Sequence, residues 1–258
     1  MNNKHPKILI LDIETSPILA DVWDIWEQNI GLNQIKKDWK IIAWGAKWLN
    51  DSSIMYKDTR EHSEKQILKP LWELLNEADV LVTQNGKKFD IKKIYARFIQ
   101  HNFIPPSPFK HVDTCQLAKR HFGFTSNKLE YLADKLNKKY KKLKHLKFPG
   151  HTLWTECLSG NLEAWKEMEK YNKHDVLSLE ELYSRLLPWS NEGGFSIFSD
   201  EVHNECDCGR GQWKRNGVAV TKTGKYQVYK CTSCGSNTRS RQNMLTKEQK
   251  KSRLIKIV

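Results

Sequence analysis

Apolar and polar positions change their period several times along the chain, and each change marks an element. KILILDIE (7–14) is a short apolar run that enters a polar stretch, the pattern of a buried strand. WKIIAWGAKWL (39–49) and SIMYK (53–57) read as two further strands in a meander. The period then lengthens: in EKQILKPLWELLNEA (64–78), Ile67, Leu71, Leu74 and Leu75 share one helical face. DVLVTQNG (79–86) returns to a strand and stops at the turn signal Asn85-Gly86. FDIKKIYARFIQHN (89–102) is helical and ends before the Pro105-Pro106 breaker, and DTCQLAKRHF (113–122) opens another helix on an Asp-Thr cap. In KLEYLADKLNKKYKKLKHLK (128–147), Leu129, Leu132, Leu136, Tyr140 and Leu143 form a helical stripe. Seven lysines fall between 135 and 147, and they make either a solvated helix face or a phosphate-contact surface.

Strands first, then strands alternating with helices, predict an α/β three-layer domain with a mixed central sheet. The polar, glycine-containing stretch SNEGGFS (190–196) is the best boundary between this domain and the cysteine-bearing remainder of the chain. A chain of 258 residues with 39% hydrophobic content suits one medium domain plus something smaller, and ten tryptophans argue against disorder. The one long apolar run near the start, Ile8–Leu11, is too short for a signal segment or a membrane span, so a cytoplasmic protein is expected.

Charge adds a partner. The formal net charge is +13, and from Ser196 onward 13 Lys and Arg stand against 5 Asp and Glu. A basic tail on a moderately basic body suggests a polyanion, nucleic acid above all, with simple solubility as the plain alternative.

Two acidic stretches carry the candidate chemistry. On a strand, residues i and i+2 point to one side, so Asp12 and Glu14 in LDIET face together at the end of an apolar run. Two carboxylates there repel each other and lose hydration unless a cation stands between them, and hard ions such as Mg²⁺ or Mn²⁺ suit oxygen donors; two solvated acids at a strand end are the plain alternative for so common a pattern. In YNKHDV (171–176), a helical period of about 100° per residue places Asp175 among Met168, Tyr171, Leu179, Leu182 and Leu186. An acid on a core-facing stripe needs a partner, either a metal shared with Asp12 and Glu14 or an arginine or backbone amide. His174 lies off that stripe and reads as a surface residue.

Asp12 and Glu14 in LDIET, Asp90 in NGKKFDI and Asp175 in YNKHDV together resemble, in order and spacing, the three motifs of the DEDD (DnaQ-like) 3′–5′ exonucleases, which have a ribonuclease-H-like fold. The resemblance covers roughly residues 7 to 190. Tyr171 lies four residues before Asp175, which matches the tyrosine (DEDDy) branch, while Lys170 occupies the position that the other branch gives to histidine. DIET and N-x-x-x-F-D look most like the proofreading domains of family B DNA polymerases. With no polymerase domain following, a free-standing relative is implied. The resemblance implies two Mg²⁺ or Mn²⁺ ions, about 4 Å apart in sites of this kind. Asp12 would bridge both, Glu14 and Asp175 would complete the site on the attacking-water side, and Asp90 would hold the second ion. Tyr171 would orient the water, since a free tyrosine, with a pKa of about 10, is a poor base at neutral pH. Asn85 and Phe89 match positions that shape the groove for the terminal nucleotide, with Phe89 equally readable as a core residue, and Lys87 and Lys88 either touch phosphate or are solvated. Asp113 is explained more simply as a helix cap. The implied activity is release of nucleoside monophosphates from single-stranded DNA. RNA trimming, or a catalytically weak replication adaptor, is the alternative.

The remaining signal is cysteine. C-D-C-G (206–209) and C-T-S-C-G (231–235) bracket the hairpin TKTGKYQVYK (221–230), and two cysteine pairs each followed by glycine predict a tetrahedral structural Zn²⁺ on Cys206, Cys208, Cys231 and Cys234. The module resembles a zinc ribbon with one departure: its first knuckle is C-x-C, which leaves His203 as an outside ligand candidate. Trp213, Tyr226 and Tyr229 interleave with Lys214, Arg215, Lys225 and Lys230, a mixture that suits either nucleic-acid contact or a small core that docks a replication or repair protein. The expected organisation is an exonuclease domain over 1–192, a zinc ribbon over 193–245 and a loose basic tail over 246–258. By analogy, the layout suits a phage or bacterial factor.

Overall fold

The computed structural model describes residues 6–141, 143, 147–193, 206–208 and 210–254. The chain divides into two compact units, Lys7–Arg185 and a second that takes in Leu186–Val258 with Met1–Pro6. In the first unit the strands are β1 (Ile8–Thr15), β2 (Leu19–Ala20), β3 (Ile35–Lys37), β4 (Ile41–Trp48), β5 (Met55–Asp58), β6 (Val80–Thr83) and β7 (Lys110–Asp113). The helices are α1 (Glu64–Glu77), α2 (Asp90–Gln100), α3 (Thr114–His121), α4 (Leu129–Leu136), α5 (Thr152–Leu158) and α6 (Leu162–Leu186).

Five strands form one sheet in the order β5-β4-β1-β6-β7. The β1–β4 and β4–β5 pairs are antiparallel, whereas β1–β6 and β6–β7 are parallel, so the sheet is mixed as the element order predicts. Leu9, Leu11 and Ile13 of β1 pack with Leu68, Leu71 and Leu75 of α1 and with Ile94 and Phe98 of α2. A second core joins Ile42 and Ala43 of β4 to Leu153 of α5 and to Trp165, Met168 and Tyr171 of α6. Helices therefore cover both faces of the sheet, which explains why β1 reads as an unbroken apolar run up to Asp12. Each fully buried Leu or Ile in these layers contributes about 1.5–3 kcal/mol, which makes the end of β1 a firm seat. The α6 helix is tied to the sheet by a nearly buried ion pair between Lys47 of β4 and Glu180.

Two departures from the sequence pattern have clear causes. The stripe from Leu129 to Leu143 is not one helix, because α4 ends at Leu136. Beyond it the buried Asn137 side chain donates to the carbonyls of Tyr140 (2.8 Å) and Ser178 (2.9 Å), and the backbone N–H groups of Lys138 and Tyr140 donate to the Glu181 carboxylate at 2.6 and 2.9 Å. Acceptors on α6 thus take up donors that a longer helix would have used internally. The other departure lies between β1 and β4, a stretch without a clear period. It forms the β2–β3 pair and a loop on which Trp23 is 99% exposed and Trp26 75% exposed.

The second unit holds β8 (Trp213–Thr221), β9 (Gly224–Cys231) and β10 (Asn237–Asn243) in an antiparallel sheet of order β10-β9-β8. The expected loose tail begins instead with a short helix, α7 (Lys247–Lys251), because Thr246 and Gln249 form a capping box. Part of the expected linker (194–196) and His203 lie outside the described residues.

Candidate active site

The site grows from the C-terminal end of β1. Leu11 and Ile13 point into the α1–α2 core, so Asp12 and Glu14 must face the other way, toward α6. In the antiparallel register Asp12 pairs with Gly45 of β4. A Cβ at Gly45 would stand 2.2 Å from the Asn172 Oδ1, so the missing side chain makes room for Asn172. Asn172 then donates its Nδ2–H to the Asp12 Oδ2 at 2.8 Å. Glu14 is held in turn by Trp154 of α5, whose Nε1–H donates to its Oε2 at 3.2 Å.

Tyr171 and Asp175 lie one turn apart on α6 and share a face. Tyr171 is 7% exposed, stands edge-on to Trp154 with ring centroids 6.3 Å apart, and donates its hydroxyl to Asp175. Burial first, and then the charges of Asp175, Glu14 and Asp12, push the Tyr171 pKa well above its usual range. The proton stays on the oxygen at any physiological pH, so this hydroxyl can donate and orient but cannot serve as a resting base.

Asp90 reaches the same strand from the other side, at the N-terminus of α2. It is 4% exposed and accepts the backbone N–H of Ile13, the residue between Asp12 and Glu14. Burial raises its pKa to about 7 against the pull of that N–H and its own, and the nearby Asp113 adds to the rise. The structure therefore sets Asp12, Glu14, Tyr171 and Asp175 near one another on the α6 side of the end of β1, with Asp90 bonded to the backbone of the same strand. Four carboxylates there supply hard oxygen donors, the chemistry that Mg²⁺ or Mn²⁺ selects.

Asp113 does more than cap α3. Its Oδ1 accepts from Cys115 N (3.0 Å) and Gln116 N (3.3 Å), as a cap should, but also from Asn85 N at 2.9 Å. Its Oδ2 accepts from Lys87 N at 3.1 Å. One buried carboxylate thus fixes the turn that leads into Asp90. That turn requires a left-handed residue at Asn85 (φ +61°), a conformation that asparagine tolerates. The backbones of Lys88 and Phe89 both donate to the Asn85 carbonyl at 3.1 Å, which closes the turn. The Phe89 ring is 39% exposed, Lys87 and Lys88 are exposed, and Asn85 is exposed beside them. His174 is half-buried rather than on the open surface: its ring packs edge-on against Tyr140 (5.9 Å) and contacts the Lys141 carbonyl. It turns away from the carboxylates, in keeping with its place off the apolar stripe.

Asn172, Trp154 and Gly45 escaped the sequence reading. Asn172 follows Tyr171 directly, and its full burial could have been suspected from the helical period. Nothing local ties Trp154 or Gly45 to Glu14 and Asp12, because both contacts cross the fold.

In the second unit the four cysteine sulfurs lie within 4.8 Å of one another, and among the described residues no other group of three or more His, Cys, Asp or Glu does so. Cys206 and Cys231 are buried. Gly211 permits this closeness, since a Cβ there would stand 2.3 Å from the Cys231 Sγ. Burial opposes ionisation of Cys231, but N–H groups of Cys234 and Ser233 aimed at its sulfur bring the thiol down to about 7. Four soft donors at this separation fit a tetrahedral Zn²⁺.

A family model of the RNase_H superfamily, RNase_H_2, matches residues 9–187, and the chain belongs to that family. It has an RNase-H-like nuclease fold. No curated protein matches it. Among solved structures it is similar to the family B DNA polymerase from the hyperthermophilic archaeon Pyrobaculum calidifontis, with a TM-score of 0.51 and 12% identity. That match covers 74% of this chain and 26% of the polymerase. No helix among the described residues is long and apolar enough to cross a membrane.

Proposed function

We propose that the chain is a metal-dependent 3′–5′ exonuclease that hydrolyses single-stranded DNA ends to nucleoside monophosphates. The observation that carries this reading is the convergence of Asp12, Glu14, Asp90 and Asp175 with Tyr171 on the end of β1. A nucleic-acid-binding adaptor has no use for such a concentration of negative charge at a surface meant for phosphate. Asn172 supports the same conclusion: it is buried, it is spent on Asp12, and its Oδ1 finds no hydrogen-bond partner. An unpaired buried acceptor costs about 1–3 kcal/mol, so stability alone does not account for it.

Asp12, Glu14 and Asp175 would hold one divalent ion, and Asp12 with Asp90 the other. When bound, such ions acidify water and neutralise charge on the attacking and leaving oxygens. The chain's own groups supply position. Asn172 and Trp154 hold Asp12 and Glu14 in place, and Asp113 holds the turn that carries Asp90. With its hydrogen bond donated to Asp175, the Tyr171 hydroxyl oxygen would accept a hydrogen bond from the attacking water and orient it, and its raised pKa fits that role better than proton abstraction. Asn85 and Phe89, exposed beside Asp90, would contact the terminal nucleotide, with Lys87 and Lys88 near its phosphates. The four cysteines would hold one structural Zn²⁺, and the exposed basic residues of the ribbon would add contacts to the strand.

The test is a time course on 5′-end-labelled single-stranded DNA with Mg²⁺ or Mn²⁺. A ladder that shortens from the 3′ end is expected, with Asp12→Ala inactive to the detection limit and Tyr171→Phe slowed about a hundredfold. Uncut DNA beside trimmed RNA would transfer the reading to RNA. Both polymers intact under both metals would leave the fold as a binding module.

A further inference from the structure

The loop between β2 and β3 holds its large apolar side chains out in solvent: Trp23, Ile25, Trp26 and Leu32 are each 75% exposed or more. The loop is nonetheless held in shape at its base. Asp21 N donates to the Gln34 carbonyl at 2.9 Å, and the Gln34 side chain donates back to the Asp21 carbonyl at 2.9 Å and accepts from Gly31 N at 2.7 Å. It is also acidic. From Ser16 to Ile35 the sequence holds Asp21, Asp24 and Glu27 and no Lys, Arg or His, in a chain of net charge +13. Asp21 pairs with Lys36 at 2.7 Å, and among the described residues Asp24 and Glu27 take part in no ion pair.

The cysteine unit carries a surface of the opposite kind. From Trp213 to Asn243 there are seven Lys or Arg and no Asp or Glu. Opposed residues on paired strands share a face, and the register sets Arg215, Val218 and Val220 of β8 opposite Tyr229, Gln227 and Lys225 of β9. That face is basic and apolar together, with Arg215, Val218, Val220 and Lys225 all exposed. Lys214, Lys230 and Arg239, which stacks on Tyr226 at 4.1 Å, lie on the other face and stay open to nucleic acid. We infer that the Trp23–Trp26 loop of one copy of the chain docks on the Arg215–Val220 face of a second copy, and that two such contacts, one in each direction, close a dimer.

Charge chooses the occupant. Nucleic acid would bring phosphates against Asp24 and Glu27, and two loops face to face would set like charges together. The β8–β9 face offers cations beside apolar side chains that indoles can cover. Area agrees. An indole side chain buries roughly 150–250 Å², so two in each of two loops remove roughly 600–1,000 Å² from water. The surfaces they cover bring the total to roughly 1,200–2,000 Å², the size of a stable interface. The hydrogen bonds at the loop's base fix its shape before docking, which lowers the entropy lost on association. Neither surface depends on the exonuclease reading.

The experiment is sedimentation of the full chain over a concentration series at two salt levels. Wild type should pass from monomer to dimer as concentration rises, and more weakly at high salt. Asp24→Lys/Glu27→Lys sets cations against the β8–β9 face, and Arg215→Glu/Lys225→Glu sets acids against the loop. Each variant alone should dimerise about a hundredfold more weakly. Mixed, the two should pair again at about the wild-type affinity, because both contacts of the mixed dimer join opposite charges; that recovery also shows that neither variant has unfolded. Trp23→Ser/Trp26→Ser should stay monomeric and be rescued by neither. A wild type that is monomeric at every concentration would overturn the dimer and leave the loop to a different basic partner. Dimers that survive in both charge variants, or a mixture that fails to reassociate, would overturn the pairing of loop with sheet face.

Discussion

The chain carries two donor sets suited to metals, and they relate to their surroundings in opposite ways. The carboxylates stand on a finished core: Leu11 and Ile13 are buried next to Asp12 and Glu14, and Met168 and Val176 flank Tyr171 and Asp175. Nothing about that core requires an ion. In the cysteine unit the buried residues among those described from 206 onward are Cys206, Gly224 and Cys231, so the donors are themselves most of the interior. Oxygen donors placed on a stable frame suit a site that exchanges ions and substrate. Sulfur donors that replace a frame suit an ion that stays.

The largest effect expected from this contrast is on zinc removal. A chelator selective for zinc over magnesium should unfold the β8–β10 sheet while leaving Lys7–Arg185 intact, because structural Zn²⁺ typically contributes about 10–16 kcal/mol to small modules. Amide exchange would show it as lost protection confined to Trp213–Asn243. Protection that survives complete zinc loss would mean that the sheet holds itself.

A smaller effect separates seat from donor within the carboxylate site. Asp113→Ala should cost about 2–4 kcal/mol in denaturant unfolding, from a lost helix cap and buried N–H groups left unpaired. It should also lower kcat, since the turn before Asp90 loses its anchor. Asp90→Ala should lower kcat without that stability loss, because burial already works against its charge. Equal stability of the two variants would show that Asp113 anchors neither the cap nor the turn.

The smallest is a pH effect. Burial lifts Asp90 to about 7, so below that pH a cation must displace its proton, and above it the carboxylate is ready. Apparent Mg²⁺ affinity should therefore rise about tenfold from pH 6 to pH 8 and level off beyond. A titration that gives one affinity across that window would place the Asp90 carboxylate outside the ion-binding set.

Much of this was legible in the residues. Periods of two and 3.6, the Asn85-Gly86 turn and the Asp113 cap gave β1, β4, β5 and β6 with helices α1, α2 and α3, whereas β7 and α5 were not read from the pattern. The alternation in LDIET and the helical spacing in YNKHDV set the directions of Asp12, Glu14, Tyr171 and Asp175, because side-chain direction along a strand or helix is a local property of backbone geometry. The paired cysteines were legible for the same reason, since knuckle spacing is short-range.

What the tertiary structure decided is what depends on elements meeting. Asn172 reaches Asp12 because Gly45 is opposite, Trp154 finds Glu14 across the second core, and Asp113 collects N–H groups from a turn 26 to 28 residues earlier. The lysine-rich stretch after Leu136 left its helical period because Glu181 and Ser178 offered its polar groups partners that no local pattern encodes. Arg215 shares a face with Val218 and Val220 only because the register of β8 against β9 shifts between them. The chain's own order specifies which way a side chain points, and packing specifies what it meets.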